Sequence, residues 1–80
     1  MSKKEKLINK LKNAHASFTW DELVKLLNAL GYQKLEGSGS RVKFMKGHLS
    51  IDLHRPHPGN ELKRYVKKLV LAHLRQQGDI

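Results

Sequence analysis

The chain has no cysteine, which excludes disulfides, thiolate metal sites and thiol nucleophiles together and fits a reducing compartment. Acidic residues are scarce: seven Asp and Glu face sixteen Lys and Arg, leaving a formal charge of +9. Long apolar runs are missing too. The longest, "LVLAHL" (Leu69 to Leu74), is far short of a membrane span, and the lysine-rich start "MSKKEKLINKLKNAHAS" has no apolar h-region for export. These absences lead us to expect a soluble, cytoplasmic protein with no membrane partner. With one Trp, two Tyr and two Phe among 80 residues, the core must be thin, since a chain of this size buries only about 60% of the surface its unfolded form exposes. The charge attracts polyanions over a Debye length, although charge alone does not separate RNA from DNA, an acidic protein or a membrane.

What is present organises into one domain. Leu7, Ile8 and Leu11 share one helical face among lysines over residues 3 to 14. Thr19 with Glu22 three residues on predicts a capping box. Trp20, Leu23, Val24, Leu27 and Leu30 then keep helical spacing until Gly31 stops it. "YQKLE" suits a short strand and "GSGS" a flexible loop. Leu62, Val66, Leu69, Val70, His73 and Leu74 form the apolar stripe of a last helix, capped by Asn60 and ending at Gly78. His73 falls on that stripe as a core or boundary residue, while His15 and His48 have no evident companions.

Between loop and last helix, "RVKFMKGHLSIDLH" alternates twice: Val42 and Phe44 with Arg41 and Lys43, then Leu49, Ile51 and Leu53 with His48, Ser50, Asp52 and His54. A two-residue turn at Lys46-Gly47 would pair Met45 with His48, Phe44 with Leu49, Val42 with Ile51 and Arg41 with Asp52, and would set His54 diagonal to Arg41. The order helix, helix, three strands, helix requires helices over the apolar face of a small antiparallel sheet. The opposite, wet face then carries Arg41, Lys43, Met45, His48, Ser50, Asp52 and His54.

That face holds the ingredients of metal-free RNA cleavage, which needs a proton acceptor for a 2′-hydroxyl, a cation for the phosphate and an acid for the leaving oxygen. Histidine serves both proton roles because its ordinary pKa is near 6.5. His54 ends the third strand. His57 follows in "HRPHPGN", where Pro56 and Pro58 hold the chain extended and an adjoining helix start favours anions. Arg41, Lys43, Arg55 and Ser40 are the candidate phosphate ligands. The residues leave alternatives open: the two imidazoles can hydrogen-bond the turn, and Arg41 can pair with Asp52. No third ligand accompanies "HRPH", so we expect no metal and no cofactor. "GSGS" lacks the Gly-Lys-Ser/Thr of a phosphate loop.

"LLNALGYQKLEGSGSRVKF" followed by "IDLHRPHPGNELKRYVKKLV" resembles the HicA toxins of bacterial toxin–antitoxin pairs over roughly Trp20 to Gln77. The resemblance implies an α+β fold similar to a double-stranded-RNA-binding domain, here an αβββα core with a three-stranded antiparallel sheet over residues 19–80. Residues 1–18 would be an added amphipathic helical extension. It further implies an mRNA interferase, an endoribonuclease cutting mRNA without metal, and a HicB-like antitoxin partner that covers the active surface. In one respect the chain departs from the pattern. The family places its catalytic histidine directly after Gly-Ser on the second strand, and the matching residue after Gly39-Ser40 is Arg41, which stays protonated and cannot act as a base. The proton-transfer role would then pass to His57 or His54 with Arg41 as phosphate clamp, or the domain would bind RNA without cutting it. A third reading is a small interaction protein whose basic face docks an acidic partner.

Overall fold

The computed structural model describes residues 3–13, 15–37, 39–56 and 59–80. Three helices, α1 (Lys3–Lys12), α2 (Trp20–Ala29) and α3 (Arg64–Gln76), accompany strands β1 (Gln33–Glu36), β2 (Arg41–Lys46) and β3 (Leu49–His54). The strands form an antiparallel sheet in the order β1-β2-β3. The expected α+β architecture, an αβββα core preceded by an extra helix, is the observed one.

Local chemistry explains where each helix stops and starts. The Thr19 hydroxyl accepts from the Glu22 backbone N–H at 3.2 Å, and the Glu22 carboxylate accepts from the Thr19 backbone N–H at 3.0 Å, closing the capping box that starts α2. At the other end Gly31 takes φ 97°, and the N–H groups of Gly31 and Tyr32 donate to the carbonyls of Asn28 and Leu27. This is a Schellman ending, which needs a residue free of Cβ strain at the left-handed position. The same arrangement ends α3, where Gly78 (φ 79°) and Asp79 donate to Arg75 and Leu74.

Val42 and Phe44 of β2 and Ile51 and Leu53 of β3 turn inward to meet Trp20, Leu23, Leu26 and Leu27 of α2 and Val70 and Leu74 of α3, all buried. Trp20 and Phe44 meet as tilted rings 5.9 Å apart. Helix α1 adds Leu11 to this core and packs against α2 and α3, with its Lys10 ammonium on the Glu22 carboxylate at 2.6 Å.

Three expectations need correction. The hairpin turn is Gly47-His48 rather than Lys46-Gly47, so Lys46 pairs with Leu49, Phe44 with Ile51, Lys43 with Asp52 and Arg41 with His54. A shift of two residues preserves both faces, so the apolar alternation cannot separate the two registers. The turn decides. Gly47 has φ 61° and His48 does not share the positive sign, the pattern of a type II′ turn, whereas the expected turn would have strained Lys46. Asn60 does not cap α3. The helix starts later, behind Lys63, which gives no side-chain cap, and the Asn60 amide instead donates to Asp21 of α2 at 3.3 Å. Leu69, assigned to the apolar stripe, is 52% exposed.

Two polar contacts fasten the helices to one another. Lys67 of α3 is buried, 5% exposed, and its ammonium donates to the carbonyls of Asn13 and Ala16 at 2.7 Å each, tying the segment after α1 to α3. The Tyr32 hydroxyl, 3.2 Å from the His73 Nε2, donates to Asp79 Oδ2 at 3.0 Å, and Lys46 donates to Asp79 Oδ1 at 2.7 Å. Burial and then the Asp79 carboxylate push the Tyr32 phenol up to about 12. Burial alone would raise the pKa of Asp79, but the bonds from Lys46 and Tyr32 outweigh it and hold the carboxyl below its ordinary value.

Replacing Lys67 by Met should therefore lower unfolding free energy by about 1–3 kcal/mol, because two carbonyls lose a charged donor in a dry site; urea unfolding measures it, and an unchanged midpoint would refute the tie. A depressed carboxylate stabilises a fold above its ordinary pKa, and that contribution disappears as pH falls through the depressed value. Asp79→Asn should accordingly be less stable than the parent at neutral pH, with the gap closing on acidification. A gap that stays constant down the acid limb would contradict the assignment.

Candidate nucleic-acid interface

The open face of the sheet is built by strand alternation. With Val42, Phe44, Ile51 and Leu53 turned inward, their neighbours Arg41, Lys43, Ser50, Asp52 and His54 are exposed on the opposite side. Arg41 and His54 stand directly across the hairpin. Residues so paired have Cα atoms about 4.5–5.5 Å apart, so guanidinium and imidazole rise from one patch. Leu35 of β1, paired with Lys43 and 48% exposed, borders this patch. Together Leu35, Gly37, Arg41, Lys43, Asp52 and His54 surround an open basin of about 490 Å³.

Among the described residues, neither Arg41 nor Lys43 enters an ion pair, although Asp52 stands opposite Lys43. The alternative contact between Arg41 and Asp52 is not formed, because the register sets Asp52 opposite Lys43, two residues along. Both cations thus remain available to an anion from solvent.

Arg55 is different. Its backbone N–H donates to the Ser40 carbonyl at 2.8 Å, extending the hairpin ladder by one step. Its guanidinium donates to Glu36 at 2.6 Å and lies 6.0 Å from the Trp20 ring centroid. The Arg55 hydrogen bond, followed by the charge of Lys34, lowers the pKa of Glu36. Glu36 pairs across the sheet with inward-facing Val42, so this ion pair belongs to the helix side and the guanidinium is already engaged. The structure therefore joins Arg41, Lys43 and His54 and directs the Arg55 guanidinium elsewhere. Ser40 lies at the end of the same hairpin. His57 lies outside the described residues.

His54 also borders a second cleft of about 320 Å³, between the end of the hairpin and the start of α3, whose walls include Ser40, Arg55, Pro56, Lys63 and Tyr65. Tyr65 went unnoticed in the sequence, although a signal was there: it sits one position off the stripe of half-buried Val66 and buried Val70 and Leu74, among Arg64 and Lys68. Glu36 was missed as the partner of Arg55 because their separation of 19 residues gives no local pattern. Among the described residues, no group of three or more His, Asp or Glu side chains is placed to hold a metal ion. No helix there is long and apolar enough to cross a membrane.

Compared with known proteins, residues 20–78 match the family model for the HicA toxin of bacterial toxin–antitoxin systems. No curated protein and no solved structure matches the chain.

The difference between free and engaged cations is measurable on any polyanion. Arg41→Ala and Lys43→Ala should each weaken binding of a short RNA and reduce the slope of log affinity against log salt by about 1. Arg55→Ala should alter that slope less, since Glu36 already neutralises the guanidinium. Equal slopes for all three variants, read by fluorescence anisotropy, would contradict this assignment of charge.

Proposed function

Because the chain belongs to the HicA toxin family of bacterial toxin–antitoxin systems, we propose that it is an endoribonuclease that cuts single-stranded or locally unpaired mRNA in the cytoplasm and is held inactive by a HicB-like antitoxin. The observation that carries this reading is the direct pairing of Arg41 with His54 on an exposed, cationic face. It supports the reading because an imidazole stands opposite the arginine that occupies the family's usual histidine position.

The chemistry assigns each group one task. Arg41 and Lys43 bind the non-bridging oxygens of the scissile phosphate and offset the charge that grows there as the 2′-oxygen attacks. His54 takes the proton from that 2′-hydroxyl, and His57 gives one to the departing 5′-oxygen. The 2′-oxygen–phosphorus bond forms as the phosphorus–5′-oxygen bond breaks, yielding a 2′,3′-cyclic phosphate and a free 5′-hydroxyl with no metal in the cycle. Neutral imidazole is the acceptor and imidazolium the donor. Ser40 and Arg55 shape the end of the hairpin where the strand would leave the site. The antitoxin would act by covering the same face.

Residues 1–18 are assigned as an extension to the toxin core. Two facts support this: the family match begins at Trp20, and α1 contributes to the shared interior chiefly through Leu11.

Arg41 at the histidine position also favours a second reading, a module of the same fold that binds RNA without cutting it. One experiment separates the two. Purified protein incubated with defined RNA and a chelator should release fragments ending in 2′,3′-cyclic phosphate, and His54→Ala or His57→Ala should reduce the rate about 10²–10⁴-fold. Intact RNA with the parent protein would leave the binding module. Cleavage undiminished in both variants would remove these imidazoles from the mechanism.

A further inference from the structure

Of the large apolar side chains in the described residues, three are exposed: Leu35, Leu69 and Tyr65, the last at 67%. Tyr65 and Leu69 are four residues apart on α3 and so share one side of that helix. Neither is needed to close the core. Arg64 adjoins Tyr65 in the chain, Lys68 is one turn on, and all are exposed. Tyr65 shares its cleft with Ser40, His54 and Lys63. Glu61 is the acid in this lining.

We propose that Tyr65 is a stacking platform for a nucleobase, receiving the base next to the phosphate held by Arg41 and His54. This rests on the reading that the open face takes an RNA strand, and it adds the feature that holds the neighbouring base in place. His54 borders both the basin of the open face and the cleft under Tyr65. A strand whose phosphate lies on Arg41 thus reaches the phenol ring by passing over His54. Proteins that hold single strands combine cations along the backbone with aromatic rings on which bases stack. The surroundings of Tyr65 have that composition. A nucleic-acid strand is the occupant that charge favours, because Arg64 and Lys68 flank Tyr65 and Leu69 and Lys63 lines the cleft, so the surroundings attract a polyanion.

The platform belongs to unpaired substrates. A base inside a duplex already stacks on both sides and offers no free face to a ring, so the proposal commits the cleft to a single-stranded or unstacked nucleotide.

The test uses the full chain and a 2′-O-methylated oligoribonucleotide of mixed sequence, which cannot undergo 2′-hydroxyl attack, carrying one 2-aminopurine whose emission falls on stacking. Tyr65→Ala and Tyr65→Leu should bind it about 5- to 150-fold more weakly than the parent and lose the quenching, while Tyr65→Phe keeps both. Tyr65 is exposed, so circular dichroism should show all three variants folded. Affinity and quenching unchanged in the Ala and Leu variants would overturn the proposal. So would a pattern in which those variants lose a HicB-like partner but keep the RNA, because the surface would then serve protein docking. A parent that quenches the probe through Tyr65 yet leaves unmodified RNA whole would support the platform while rejecting the ribonuclease, so the two readings fail separately.

Discussion

The arrangement of the site depends on one short backbone crossing. Thr19 and Glu61 form an isolated antiparallel bridge, flanked by two hydrogen bonds: the Trp20 N–H donates to the Asn60 carbonyl at 2.7 Å, and the Leu62 N–H donates to the Phe18 carbonyl at 2.8 Å. Each backbone group so paired is spared the cost of burial without a partner. Phe18 and Leu62 become buried on either side of the bridge. The chain leaving β3 is therefore fixed at both ends, by the hairpin ladder that continues to Arg55 and by the first turn of α2. That double attachment brings Arg55 beside Trp20 and holds the start of α3 close to the end of the sheet. Without it, the cleft between His54 and Tyr65 would have no second wall.

The far side of the molecule is secured by a different device. Both Schellman endings deliver the residue after the glycine to the same place: Tyr32 from α2 and Asp79 from α3 meet through a hydrogen bond of 3.0 Å. Lys46 arrives from the last position of β2 and completes the group. Two helix ends and one strand end thus converge on a half-buried carboxylate. Because the helices are held there and at the Thr19 bridge, the inward faces of β2 and β3 are covered, while β1 and the outward face of the sheet are left to solvent.

Much of this could be read from residue order because it is local. Thr19 with Glu22 and Gly31 mark the bounds of α2 within a few positions, and the alternation in β2 and β3 separates Arg41, Lys43 and His54 from the core without knowledge of the partner strand. Register was less legible. A shift by two residues leaves every face intact, so only the conformational demand on Gly47 distinguished the registers, and that demand is small in a sequence and decisive in a turn. Nonlocal partners were not legible at all. Asn60 has the chemistry of a cap, yet it was claimed by Asp21, and the Arg55 guanidinium found Glu36. Leu69 fits a helical stripe by spacing, but α3 buries a narrower strip than spacing alone suggests, because the sheet and α1 reach only part of its circumference.

The ammonium of Lys67 makes docking of the first helix visible on the last one. Both of its acceptors, the carbonyls of Asn13 and Ala16, precede the matched family segment, so in a chain without the residues before that segment the same side chain would turn to water. One cation of the last helix is thus sheltered or hydrated according to whether the N-terminal segment is in place.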